Sequence, residues 1–154
     1  PPDAAAGSDA PLNREVIFVL DTSGSMSGTS FHEARSALRM ALRRLGPDDT
    51  FNVIAFSSRA RQLFRQPLPA PAVNVAKAIS SIEGLDAEGG TEMLSALKLA
   101  LRNTASGERV RQVVFITDGA VGNESTLFDY IRLSLGKSRL FTVGIGSAPN
   151  GYCL

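Results

Sequence analysis

The chain has 154 residues, 44% hydrophobic and 20% charged, a balance that suits one folded domain with a substantial core and excludes a disordered chain. A formal charge of +1 gives no general attraction to nucleic acid or to an anionic membrane, so partners must be sought at a site. No apolar run approaches the ~20 residues of a membrane helix, and the N-terminus lacks the basic-then-apolar order of a signal peptide, so direct membrane insertion is not expected and any export signal is expected outside this stretch. The single cysteine, Cys153, allows neither an internal disulfide nor a zinc cluster.

Residues 1–13, PPDAAAGSDAPLN, are rich in Pro, Ala and small polar residues without a period and read as a linker or flexible arm, with the domain beginning near Arg14. VIFVL at 16–20 predicts a strand covered on both faces, and it ends abruptly in DTSGSMSG. Phe31, Ala34, Leu38, Ala41, Leu42 and Leu45 then keep a 3.6-residue stripe; Ser30 and Glu33 fit a capping box, and Gly46 with Pro47 supplies a stop. FNVIAF at 51–56 predicts a second strand, and RARQLFR at 59–65 has strand character with exposed arginines that suit an edge. Helical stripes follow through Val75, Ile79 and Ile82 and through Met93, Leu94, Leu97 and Leu101. Next come a strand, VVFIT at 113–117, a stripe through Leu127, Phe128, Ile131 and Leu135, and a last strand, LFTVGI at 140–145. No internal repeat is visible.

Strands alternating with helices predict an α/β fold: a three-layer α/β/α open sandwich, Rossmann-like, with a mainly parallel sheet and one antiparallel edge strand. In such sheets ligands bind beyond the carboxyl ends of the strands, where strand order reverses. Asp21 follows the first strand and Asp118 follows VVFIT, so both carboxylates reach one rim if those strands are neighbours. Between them, EGGTEM sets Thr91 after two glycines at the start of a helix. Asp21, Ser23, Ser25, Thr91 and Asp118 offer only oxygen, the donor set of hard divalent cations, Mg²⁺ first with Mn²⁺ or Ca²⁺ as alternatives, and disfavour zinc. Gly24 lets the backbone turn so that the serines can point the same way.

DTSGSMS with a later GGT and then TDG resembles the metal-ion-dependent adhesion site (MIDAS) of von Willebrand factor type A domains, an Asp-x-Ser-x-Ser pattern with a distant Thr and Asp. REVIFVLDTSGSM, GGTEML, ITDGAVGNE and FTVGIGSAPNGY further resemble the subgroup found in inter-alpha-trypsin inhibitor heavy chains and related bacterial proteins. The resemblance implies that Ser23 and Ser25 ligate the metal directly, that Thr91 joins them when a partner is bound, and that Asp21 and Asp118 act mostly through water or hydrogen bonds to the serines. With neutral hydroxyls nearest, the metal keeps much of its charge and an open position that an Asp or Glu of a partner protein can fill. It also implies a cell-surface or extracellular setting. Residues 14–154 then form a domain shortened at its C-terminus, because family members continue into a further helix. An uncovered sheet face would expose apolar surface and favour self-association.

Each residue also has a plainer explanation. Asp21 to Gly24 alone could be a polar turn, Thr91 a helix N-cap and Asp118 a turn residue before Gly119. His32 reads as an exposed helix residue, Arg35, Arg39 and Arg43 as a solvated face, and Asp86 and Glu88 as solvated. Cys153 reads as incidental. Catalysis is not expected. GSMSG puts Met26 where a serine-hydrolase elbow needs serine; a Mg²⁺-dependent aspartyl-phosphate phosphatase needs an acid where Ser23 stands; and no phosphate-binding glycine loop is present. A further reading is a scaffold domain whose cation only locks loops together.

Overall fold

The computed structural model describes residues 14–26, 28–46, 48–64, 67–70, 72–85, 93–101, 110–117, 125–134 and 138–145; the expected arm at 1–13 and the closing residues from 146 lie outside them. Six strands, β1 (Arg14–Asp21), β2 (Thr50–Phe56), β3 (Ala60–Gln62), β4 (Leu68–Pro69), β5 (Val110–Thr117) and β6 (Arg139–Gly144), form one sheet. Along the sheet the order is β3-β2-β1-β5-β6, with β4 also paired to β2. β1 pairs in parallel with both β2 and β5, and β5 with β6. The chain therefore builds outward from β1 on one side and returns to its other side at β5, which sets the reversal of strand order between β1 and β5.

The apolar run of β1 is buried on both faces because helices cover both. Val16, Phe18 and Leu20 pack with Phe31, Ala34, Leu38 and Leu42 of α1 (Thr29–Arg43) and with Ala78 and Ile82 of α2 (Ala72–Glu83). Ile17 and Val19 face the opposite way, against Ala96, Leu97, Ala100 and Leu101 of α3 (Met93–Leu101). Tyr130 and Ile131 of α4 (Ser125–Ser134) join that second cluster. Period-two alternation along the strand meeting 3.6-residue stripes on the helices produces the α/β/α layers. The rings of Phe56 and Phe115, 5.9 Å apart and tilted by 67°, seal the α3 side.

The antiparallel edge is present in two short pieces. β3 covers Ile54 to Phe56 of β2, β4 covers Thr50 and Phe51, and the buried Asn52 side chain fills the gap. Its Oδ1 accepts the Phe64 N–H at 3.2 Å and its Nδ2 donates to the Phe64 carbonyl at 3.0 Å, tying the returning chain to β2 between the two pieces.

The capping-box expectation is corrected. α1 begins at Thr29 with Gly28 as N-cap (φ 85°, ψ −137°) and no side-chain cap, so Ser30 lies already inside the first turn. The backbone leaves the preceding turn at a positive φ that glycine alone adopts cheaply, and this fixes the start. The arginine stripe is also only partly solvated: Arg35 donates to the Glu83 carbonyl at 3.2 Å and lies 4.7 Å from the Phe31 ring centroid. Arg39 pairs with the Glu83 carboxylate, so two of the three arginines clasp α1 to the end of α2, while Arg43 and His32 are exposed. Among the described residues no helix is long and apolar enough to cross a membrane, which says nothing of strands.

Candidate metal centre

Asp21 is the last residue of β1 and Thr117 the last of β5, and the two parallel strands are direct neighbours, with Leu20 opposite Ile116. The adjacency that would bring Asp21 and Asp118 to one rim is thus present. Thr91 and Asp118 themselves lie outside the described residues, as does the side chain of Ser25, whose backbone sits inside a 3₁₀ turn, Gly24–Met26.

The exit of β1 is fastened on both sides. Thr22 donates its N–H (2.8 Å) and its hydroxyl (3.0 Å) to the Phe56 carbonyl at the end of β2. The Met26 N–H donates to the Ser23 carbonyl at 2.9 Å, closing the turn, and the fully buried Met26 side chain anchors it in the core. Between these anchors Asp21 Oδ1 accepts both the N–H (2.8 Å) and the hydroxyl (2.6 Å) of Ser23. Asp21 Oδ2 accepts the hydroxyl of Thr117 at 2.6 Å. All three residues are at most 2% exposed.

This donor set can be tested against a divalent cation. Among the described residues three carboxylates are buried: Glu15, Asp21 and Asp49. Glu15 accepts Arg111 Nε at 2.7 Å, and Asp49 accepts Arg14 Nη2 at 2.7 Å. Asp21 has no arginine or lysine partner among the described residues, only hydroxyls and an amide. A buried charge is stable when paired or when it serves a metal, so among the described buried acids Asp21 is the one whose surroundings fit a cation. With its proton committed to Asp21, the Ser23 hydroxyl can act toward any other group only as an oxygen acceptor, the role a cation ligand needs. The groups present fit a hard cation held by hydroxyl oxygen, with Asp21 acting behind the serine. Among the described residues there is no group of three His, Cys, Asp or Glu that could hold a metal ion.

Sequence reasoning missed Thr117. Its available signal was a hydroxyl residue closing the apolar alternation Val113, Phe115, Thr117 on one face of the strand.

The profile of the von Willebrand factor type A domain matches residues 14–154. A von Willebrand factor A domain-containing protein of Dictyostelium discoideum is 38% identical over 134 residues, covering 86% of this chain and 14% of that protein. Inter-alpha-trypsin inhibitor heavy chain H4 of Homo sapiens is 36% identical, with 88% of this chain and 16% of the relative covered. The chain therefore spans only a small part of the length of these relatives. Among solved structures, a von Willebrand factor type A protein from Catenulispora acidiphila superposes with a TM-score of 0.77 at 28% identity, covering 86% of this chain and 33% of that one. Proximal thread matrix protein 1 from the mussel byssus, solved with a zinc-occupied MIDAS motif, shares the fold with a TM-score of 0.67 at 20% identity, covering 89% of this chain and 37% of its own.

Proposed function

Because the chain belongs to the von Willebrand factor type A domain family, whose members generally mediate protein–protein interaction, we propose that it captures a partner protein through a divalent cation held at the carboxyl ends of β1 and β5. The observation that carries this reading is the buried Asp21 carboxylate, held by Ser23 and Thr117 without a basic partner among the described residues. Ser23 and Ser25 hold the ion, Thr91 joins them on engagement, and Asp21 and Asp118 orient the hydroxyls. The cation supplies an electrophilic position that an Asp or Glu of the partner occupies. Mg²⁺ is the ion expected, although the MIDAS of the mussel protein takes zinc.

The loop's own bonds favour recruitment over a locking role. Thr22 on Phe56, Met26 on Ser23 and Ser23 on Asp21 hold residues 21–26 through bonds of the chain's own, which supports a cation that recruits over one that locks. Homologues are generally non-enzymatic interaction modules, and the domain is proposed to catalyse nothing.

The test is thermal unfolding with and without Mg²⁺ or Mn²⁺. At 100 times Kd, linkage stabilises by about 2.7 kcal/mol, a Tm rise of about 5–10 °C for a domain of this size. Asp21→Ala and Ser25→Ala should abolish the rise, and an equal response in all three proteins would defeat the reading. Thr91→Ala should spare most of the rise yet reduce Mg²⁺-dependent binding of an Asp- or Glu-bearing peptide. A loss of the thermal response alone would favour the locking role.

A further inference from the structure

We infer that Thr117 is a positioning residue of the metal centre: from the neighbouring strand its hydroxyl fixes the plane of the Asp21 carboxylate, and through Asp21 the orientation of the Ser23 hydroxyl toward the cation. This rests on the cation reading above. Ser23 engages only Oδ1 of Asp21, through its N–H at 2.8 Å and its hydroxyl at 2.6 Å. Both contacts fall on one oxygen, and because the Cβ–Cγ torsion is broad and soft, coupled changes of the two side-chain torsions can still rock Oδ2 while Oδ1 stays near its donors. The Thr117 hydroxyl, 2.6 Å from Oδ2, is the third point that removes this freedom.

Thr117 is itself firmly held. It is 0% exposed, and its carbonyl accepts the Ile145 N–H at 3.0 Å beyond the end of β6. As a β-branched residue it is stiff at χ1, so the hydroxyl arrives pre-aimed. It occupies the same face as Val113 and Phe115, where valine would fill the space equally well. A buried hydroxyl there is costly unless satisfied, and Asp21 satisfies it. Water cannot readily take its place at Oδ2, since Asp21 is 2% exposed. Ser23, one of the two serines proposed to hold the ion, and a residue of the adjacent strand are thereby joined through one carboxylate.

The experiment compares Thr117→Val, which keeps shape and removes the hydroxyl, with Thr117→Ser, which keeps the hydroxyl and removes the methyl. Mn²⁺ affinity is read by titration calorimetry on the full chain, and Tm is read in EDTA. Thr117→Val should weaken Mn²⁺ binding by about 10–100-fold, the range typical of groups that orient metal ligands. Thr117→Ser should stay close to wild type even if its Tm in EDTA falls as far as that of the valine variant. Should the valine variant fail to fold, Thr117→Cys, with a weak donor of similar size, should bind less tightly than the serine variant. Wild-type affinity in Thr117→Val or Thr117→Cys, or equal losses in the serine and valine variants, would overturn the inference while leaving the cation reading intact. A wild-type chain that binds no Mn²⁺ would overturn the cation reading, and this inference with it.

Discussion

The two ends of the sheet treat buried acids in opposite ways. At the amino end, Glu15 of β1 faces Arg111 of β5, its direct neighbour in register, and Arg111 also donates to the Ala100 carbonyl at 3.0 Å, tying α3 to the sheet. Asp49, just before β2, is held by Arg14 and by the Gly46 N–H at 2.8 Å. At the carboxyl end Asp21 has comparable burial but, among the described residues, receives only neutral donors. One end carries its own counter-charges and serves cohesion. Among the described residues the other brings no basic side chain to its buried acid, and it is the end proposed to bind.

The largest expected effects test that contrast directly. Arg111→Met should destabilise by about 3–5 kcal/mol, because Glu15 would be left buried without its partner. The loss should be the same in EDTA and in Mg²⁺, as urea midpoints would show. Asp21→Asn should behave differently. An amide can accept from Ser23 and let Thr117 turn its hydroxyl into an acceptor, so stability in EDTA should move by no more than about 1 kcal/mol. In Mg²⁺ the variant should lack the roughly 2.7 kcal/mol of linkage that wild type gains at 100 times Kd. A Mg²⁺-independent collapse of Asp21→Asn would make the carboxyl end a structural cluster like the other.

These ends differed as much in how legible they were. Asp21 and Ser23 could be picked out because an apolar strand stopping in an acid and hydroxyls is a local signal, and the layered α/β fold followed from local periodicity. Glu15 and Arg111 could not. Each stands beside or before an apolar run and reads as a solvated charge, and their pairing depends on a strand register that joins residues 96 apart. Thr117 was hidden for the same reason, since its partner also lies 96 positions away. The clasp of Arg35 and Arg39 on Glu83 again needs the placement of a second helix. The missed start of α1 has a local cause: Ser30 and Glu33 fit the capping pattern, but the φ of Gly28 decided the boundary.

Gly28 offers a smaller perturbation confined to the binding end. A Cβ built there meets nothing within 4 Å, so alanine would not clash, and the penalty comes from its φ of 85° alone. Gly28→Ala should cost about 1–3 kcal/mol, the usual price of such a backbone, and should weaken Mg²⁺ binding by disturbing the turn that carries Ser25. Ser30→Ala, which touches no cap, should change stability by no more than about 0.5 kcal/mol. A larger loss at Ser30 than at Gly28, measured by urea denaturation, would restore the capping-box reading.

The smallest effect belongs to the amino end and appears only in acid. Burial alone would push the Asp49 carboxyl up, but the Arg14 hydrogen bond, the Gly46 N–H and the Arg14 charge outweigh it, so its pKa lies below the ordinary 3.8. A lowered folded pKa means that the unfolded chain binds the proton first. The stabilisation is therefore complete above the ordinary value and is lost as pH falls from there through the folded pKa. Arg14 is 43% exposed, so solvent screening holds the pair to about 1 kcal/mol or less. Urea midpoints measured downward from pH 5 should fall more steeply in wild type than in Asp49→Asn, with the two curves drawing together at the lowest pH. Mg²⁺ affinity at neutral pH should be the same in both, since Asp49 lies at the opposite end of the sheet from Asp21. A shift of Mg²⁺ affinity in Asp49→Asn would show that the two ends are coupled through β1 and β2 and do not divide cohesion from binding.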